Sequence, residues 1–175
     1  MTTEPSDDEL RTEDAPDASA PDLASLRTVA DYQFGAGAGK ALFPPGEELT
    51  IRRSTGGRPR QVVAEEGRLV SYGVDGRFTL GIAGGRRLYE ALEGGYTVVV
   101  GDESEPFVRD GRNVFAKFVD DVDEDIRPRD EVVVIHEAGH VLAVGRAELS
   151  ADGMRTFETG MAVKVREGVG DPNAQ

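Results

Sequence analysis

The sequence predicts an α+β protein in two small units, an N-terminal α+β module followed by a mixed β-barrel with two short helices. Three observations carry this expectation. One apolar pattern of helical period lies near the start, many short β-branched runs separated by glycine turns follow it, and a glycine-rich break at Glu93, Gly94 and Gly95 divides the runs into two groups. A length of 175 residues accommodates one ordinary domain or two small ones. Two small units bury limited cores, so they are expected to support one another.

Composition removes several classes of function. There is no cysteine, which excludes disulfides, thiolate nucleophiles and Cys-type zinc sites. The acidic Met1 end has no apolar core of a signal peptide, and no apolar run approaches the ~20 residues of a membrane span. A soluble cytoplasmic protein is expected. The 33 Asp and Glu outnumber the 20 Lys and Arg, and only Lys40, Lys117 and Lys164 are lysines. An acid-rich, lysine-poor surface suits concentrated salt, where screening lengths shrink to about 3 Å and carboxylates cease to repel. A halophilic protein is expected.

Residues 1–21 hold acids, Thr, Ser, Ala and Pro and almost nothing apolar, so they read as a disordered acidic tail. The first module is assigned 22–94. Asp22 is placed to cap a helix in which Leu23, Leu26, Val29, Ala30 and Phe34 recur at helical spacing and Gly35 provides the stop. The following GAGAGK string, 35–40, fails both nucleotide-binding patterns and reads as a turn between helical pieces. Strands are expected at 49–51, 61–63, 69–72 and 78–82, punctuated by Gly56 and Gly57, by Glu66 and Gly67, and by Asp75 and Gly76. A short helix over 86–92 closes the module.

The second unit, 95–168, begins with a strand at 97–100. A helix over 104–110 follows, capped by Ser104 with Glu105 and Pro106 in its first turn and ended by Gly111. A strand at 113–119, an acidic connection to Arg129, and strands at 131–135 and 141–145 come next. Ser150 caps a last short helix, Gly160 stops it, and 161–166 is the final strand before a second disordered tail at 169–175.

The segments 111–119 (GRNVFAKFV), 127–134 (RPRDEVVV), 141–146 (VLAVGR) and 160–166 (GMAVKVR) resemble, in order and spacing, the PUA domain of archaeal RNA-modification proteins. Upstream, 30–35 (ADYQFG) and 52–63 resemble the module that precedes PUA in archaeosine tRNA-guanine transglycosylase and archaeosine synthase. The resemblance implies a PUA-type barrel, without the large catalytic barrel of those enzymes. It further implies RNA, in particular tRNA near its acceptor stem, as partner. In that family RNA lies against the first helix, the glycine turn, the following strand and the last strand, which corresponds here to Arg109, Gly111, Arg112, Asn113, Lys117, Lys164 and Arg166. Glycine admits close backbone approach, and Arg or Lys engages phosphate. A second cationic cluster, Arg52, Arg53, Arg58 and Arg60, contains no acid and is either a further RNA track or a solvated ribbon face.

One string points elsewhere. His136, Glu137, Ala138, Gly139 and His140 form a literal HExxH, which in zinc peptidases places two histidine ligands on one helix face with the glutamate as base. Here β-branched runs flank it, so it reads as a hairpin turn with two solvent-exposed histidines, and a third ligand is lacking. No catalytic residue, metal or cofactor is therefore expected. Three readings remain: a non-catalytic binder of structured tRNA, acting alone or with a separately encoded modifying enzyme; a PUA-like protein-interaction module; and a zinc hydrolase.

Overall fold

The structure is a computed structural model that describes residues 20–171. Of the expected tails, 1–21 and 169–175, residues 1–19 and 172–175 lie outside the described residues. At the C-terminal end, Val169 and Gly170 still donate backbone hydrogen bonds to Leu142 and Arg109, so the chain stays tied to the barrel past 168.

Helix α1 (Ala20–Phe34) buries Leu23, Leu26, Ala30 and Phe34, a stripe at the expected spacing. It starts before Asp22, whose carboxylate pairs with Arg53 instead of capping the helix. Gly35 ends it at φ 104°, with its amide bonded to the Asp31 carbonyl. Residues 38–40 of the glycine-rich string belong to a short helix, α2 (Ala38–Leu42). Gly39 has a packing reason, since a Cβ there would strike the backbone of Arg27.

Strands β1 (Thr50–Arg53), β2 (Pro59–Ala64), β3 (Gly67–Tyr72) and β4 (Phe78–Leu80) form an antiparallel sheet in chain order. Ile51, Val62, Val70 and Leu80 align across it as one buried row. Helix α3 (Ile82–Ala91) begins where the sequence predicted a strand end. A Cβ at Gly81 or Gly84 would meet the carbonyl of Arg68 or Leu69, so these glycines let the helix lie directly on β3. Local propensity disfavours glycine in helices, which is why the assignment failed there.

The second sheet runs β6 (Val114–Phe115), β10 (Met161–Gly168), β9 (Val141–Ala147), β8 (Glu131–His136), β5 (Thr97–Val100), β7 (Val119–Val122). Only the β5 and β8 pairing is parallel. The expected strand over 113–119 is split by a 3-10 turn, Ala116–Phe118, and its halves occupy opposite edges of the sheet. A three-residue link between opposite edges forces the sheet to curl almost shut, which produces the PUA-like barrel. Helix α4 (Glu105–Arg109) and helix α5 (Ala151–Thr156) add Val108 and Ala151 with Met154 to the barrel core, and Ser150 Oγ caps α5 by accepting from the Gly153 amide at 3.1 Å.

Every residue of β8 is buried. Val132 and Val134 face the barrel core, whereas Val133 and Ile135 join the core of the N-terminal module. This two-sided burial explains an apolar run without alternation, and it makes one strand a shared wall between the two units. Polar groups seal the same junction. The Leu80 amide donates to Glu131 Oε1 at 2.9 Å, the Leu80 carbonyl accepts from Arg166 Nη2 at 2.9 Å, and Arg166 pairs with Glu131. Among the described residues no helix is long and apolar enough to cross a membrane.

Candidate nucleic-acid interface

The turn after α4 is a Schellman motif. Gly111, at φ 89°, donates to the Val108 carbonyl at 3.0 Å, and Arg112 donates to the Phe107 carbonyl at 3.0 Å. Nothing lies within 4 Å of a Cβ built on Gly111, so the outer side of this turn is open. Beside it a cavity of about 480 Å³ is lined by Phe107, Phe115, Phe118, Gly111 and Arg112, among others. Phe107 and Phe115 are 55% and 45% exposed, which is unusual for large apolar side chains and leaves ring faces accessible for stacking. Arg112 and Lys117 are exposed at the same edge, with Lys117 Nζ 5.0 Å from the centre of the Phe118 ring. The aromatic residues escaped the sequence reading. The available signal was a phenylalanine in each of two elements at a position outside the core-facing pattern.

Three of the expected contact residues are engaged inside the protein. Arg109 bonds Glu105 and the Gly170 carbonyl. Asn113 Oδ1 accepts from the Val165 amide at 2.9 Å and ties the segment after α4 to β10. Arg166 is committed to Glu131 and Leu80. Lys164 is exposed, but its neighbour across the strands is Arg146, itself opposite Glu131. The structure therefore gathers Gly111, Arg112 and Lys117 on one surface and sets Lys164 in a row that runs toward the N-terminal sheet.

The cationic cluster of the first module also divides. Arg58 bonds the carbonyls of Tyr72 and Gly73, and Arg53 pairs with Asp22 and bonds Gly57. Arg52 and Arg60 are exposed.

The HExxH string forms the β8–β9 turn, with His136 and His140 bonded through the backbone at 2.8 Å. The expectation of two exposed histidines is corrected for one of them: His136 is 6% exposed. Its Nδ1 accepts from the Ala138 amide at 2.9 Å and its Nε2 lies 2.6 Å from Asp102. The two imidazoles stack at 4.8 Å, and His140 Nε2 meets Glu105 at 3.0 Å, which fastens the hairpin to α4. Asp102, His136 and Glu137 bring ligand atoms within 4.8 Å of one another. A neutral imidazole has one lone pair, however, and here the Ala138 amide uses it, so Nε2 carries the proton that it donates to Asp102. The string thus locks a turn, and the helical geometry of a zinc peptidase is not formed.

Two family models match the chain. The patch-forming domain C2 of tRNA-guanine transglycosylase matches residues 24–94, and the PUA domain matches 96–169. The tRNA-guanine(15) transglycosylase of Thermococcus kodakarensis is 48% identical over 146 residues, which are 82% of this chain and 25% of that protein. The chain spans about a quarter of the length of the curated relatives it matches. In fold, it is similar to a hypothetical protein of Pyrococcus horikoshii OT3, with a TM-score of 0.68 at 22% identity over 87% of this chain and 92% of that one. A conserved PUA domain protein from Thermoplasma acidophilum gives a TM-score of 0.57 at 21% identity over 86% and 92% of the two chains.

Proposed function

Because the chain is built of a C2 patch-forming domain of the tRNA-guanine transglycosylase type followed by a PUA domain, we propose that it binds folded tRNA and performs no chemistry itself. In this reading it works in the cytoplasm of a salt-adapted archaeon, alone or as the recognition subunit of a separately encoded tRNA-modifying enzyme. The observation that carries the reading is the open glycine turn at Gly111 flanked by exposed Phe107 and Phe115 and by Arg112 and Lys117. Unpaired bases at the end of an acceptor stem stack on such rings, the cations engage the phosphates, and the open turn admits the backbone. With a net charge of −13, long-range attraction opposes RNA, so stacking and shape supply more of the affinity than usual.

Binding of tRNA transcripts at high KCl tests this. Phe107→Ala removes one stacking surface and should weaken binding by about 1–3 kcal/mol. Arg112→Gln and Lys117→Gln should each lower the salt slope by about one. Gly111→Asn keeps a residue tolerated at positive φ while filling the open turn, and should weaken binding without unfolding the protein. A parent protein that binds no tRNA would replace this reading with that of a protein-interaction module.

A further inference from the structure

Beyond the PUA surface, the junction of the two domains forms a groove of about 1000 Å³ whose floor is a polar row on the outer face of the first sheet. Where Ile51, Val62, Val70 and Leu80 make the buried row, the next register row is Arg52, Gln61, Ser71 and Thr79, and all four line the groove. On the barrel side the lining continues with Glu131 and Arg146, whose row extends to Lys164 on β10. Arginines from five separate segments converge here: Arg52 and Arg53, Arg60, Arg77, and from the barrel Arg129 and Arg146.

The charges do not cancel. Arg53, Arg77 and Arg146 pair with Asp22, Asp130 and Glu148. Of the lining acids, Glu131 is held by Arg166, Glu148 by Arg146, and Asp75 accepts from the Arg77 amide. Among the described residues the guanidinium groups of Arg52, Arg60 and Arg129 have neither ion pair nor hydrogen bond, although the chain as a whole carries 33 acids. Arg129 is set at the groove by a left-handed turn, φ 78°, which is held by a 2.7 Å bond from its amide to the Ala147 carbonyl and a 2.8 Å bond from the Ala147 amide to the Asp130 carbonyl.

We infer that this interdomain groove is a phosphate-binding track for the backbone of RNA, with Arg52, Arg60 and Arg129 as its contacts. The inference rests on the RNA-binding reading and adds a second footprint, which shares no lining residue with the Phe107 surface. Guanidinium forks match phosphate oxygens two at a time, and the neutral floor of Gln61, Ser71 and Thr79 offers hydrogen bonds without sequence readout. Nucleic acid is favoured over an acidic protein because cations from both units meet in one groove in which Val74 is the single large apolar side chain left exposed, too little for the apolar anchors of a protein interface.

The test compares the parent chain, a groove variant (Arg52→Gln, Arg60→Gln, Arg129→Asn) and a face variant (Arg112→Gln, Lys117→Gln) in tRNA binding across a KCl titration, with phosphate ethylation interference as a second readout. The three groove side chains have no partner among the described residues, so the variant should melt with the parent, and Asn tolerates the left-handed backbone at 129. The groove variant should lose close to three from the salt slope. Over an about fourfold rise in KCl its affinity should then fall about 40-fold less than that of the parent. It should also lose a set of interfering phosphates that the face variant retains. A groove variant with the parental slope and interference pattern overturns the inference while a weakened face variant keeps the RNA reading. A weakened groove variant beside an unaffected face variant keeps the inference and overturns the Phe107 face as the RNA surface. No tRNA binding by the parent overturns both.

Discussion

Replacing Arg166 by methionine should destabilise the junction of the two units. The Arg166 guanidinium holds a Glu131 carboxylate that is 5% exposed, and it also satisfies the Leu80 carbonyl at the end of β4. Removing one member of a buried ion pair typically costs about 3–5 kcal/mol, because the surviving charge stays buried without a partner. The Arg166 side chain is itself 33% exposed, so water can enter the vacated space and the cost falls to about 2–3 kcal/mol. For a chain of this size that is a drop in Tm of about 5–10 °C. Adding Glu131→Gln retains an oxygen for the Leu80 amide and removes the stranded charge, so the double variant should recover to within about 1 kcal/mol of the parent. Thermal melts at fixed high KCl measure all three proteins. A single variant that melts with the parent, or a double variant no better than the single, would refute the argument that this pair seals the junction.

Gly84→Ala should cost at least about 1–3 kcal/mol, since the added Cβ meets the Leu69 carbonyl and α3 must lift from β3; urea denaturation reads this out. The hydrogen bond from His140 holds the Glu105 carboxyl below its ordinary value of 4.5, against the opposing effect of burial and with help from Arg109. A depressed carboxylate stabilises the fold above its unfolded pKa and loses that contribution as pH falls through the folded value, so stability should decline below about pH 4.5. His140→Ala should make that acid limb shallower in a series of melts against pH. Finally, protein dialysed after exposure to zinc should retain no stoichiometric metal, because the Ala138 amide occupies the His136 lone pair. One equivalent retained by the parent and lost in a His136→Ala, His140→Ala variant would contradict this.

Much was determined by local sequence. Turn glycines such as Gly35, Gly76 and Gly111 occupy positive φ, apolar spacing marked the buried stripe of α1, and the β-branched flanks of the HExxH string marked a hairpin. These features depend on residues within a few positions of one another, and periodicity records them. Which charges remain free does not have that property. Arg166 is spent on Leu80, 86 residues away, and on Glu131, 35 residues away, while among the described residues Arg52 and Arg129 have no side-chain partner although their sequence surroundings look no different. The breaking of 113–119 into strands at opposite edges, and the convergence of arginines from both domains on one groove, follow from barrel closure and from the shared wall at β8. Pairing of charges and closure of sheets are set by contacts between distant segments, and only the tertiary structure brings those segments together.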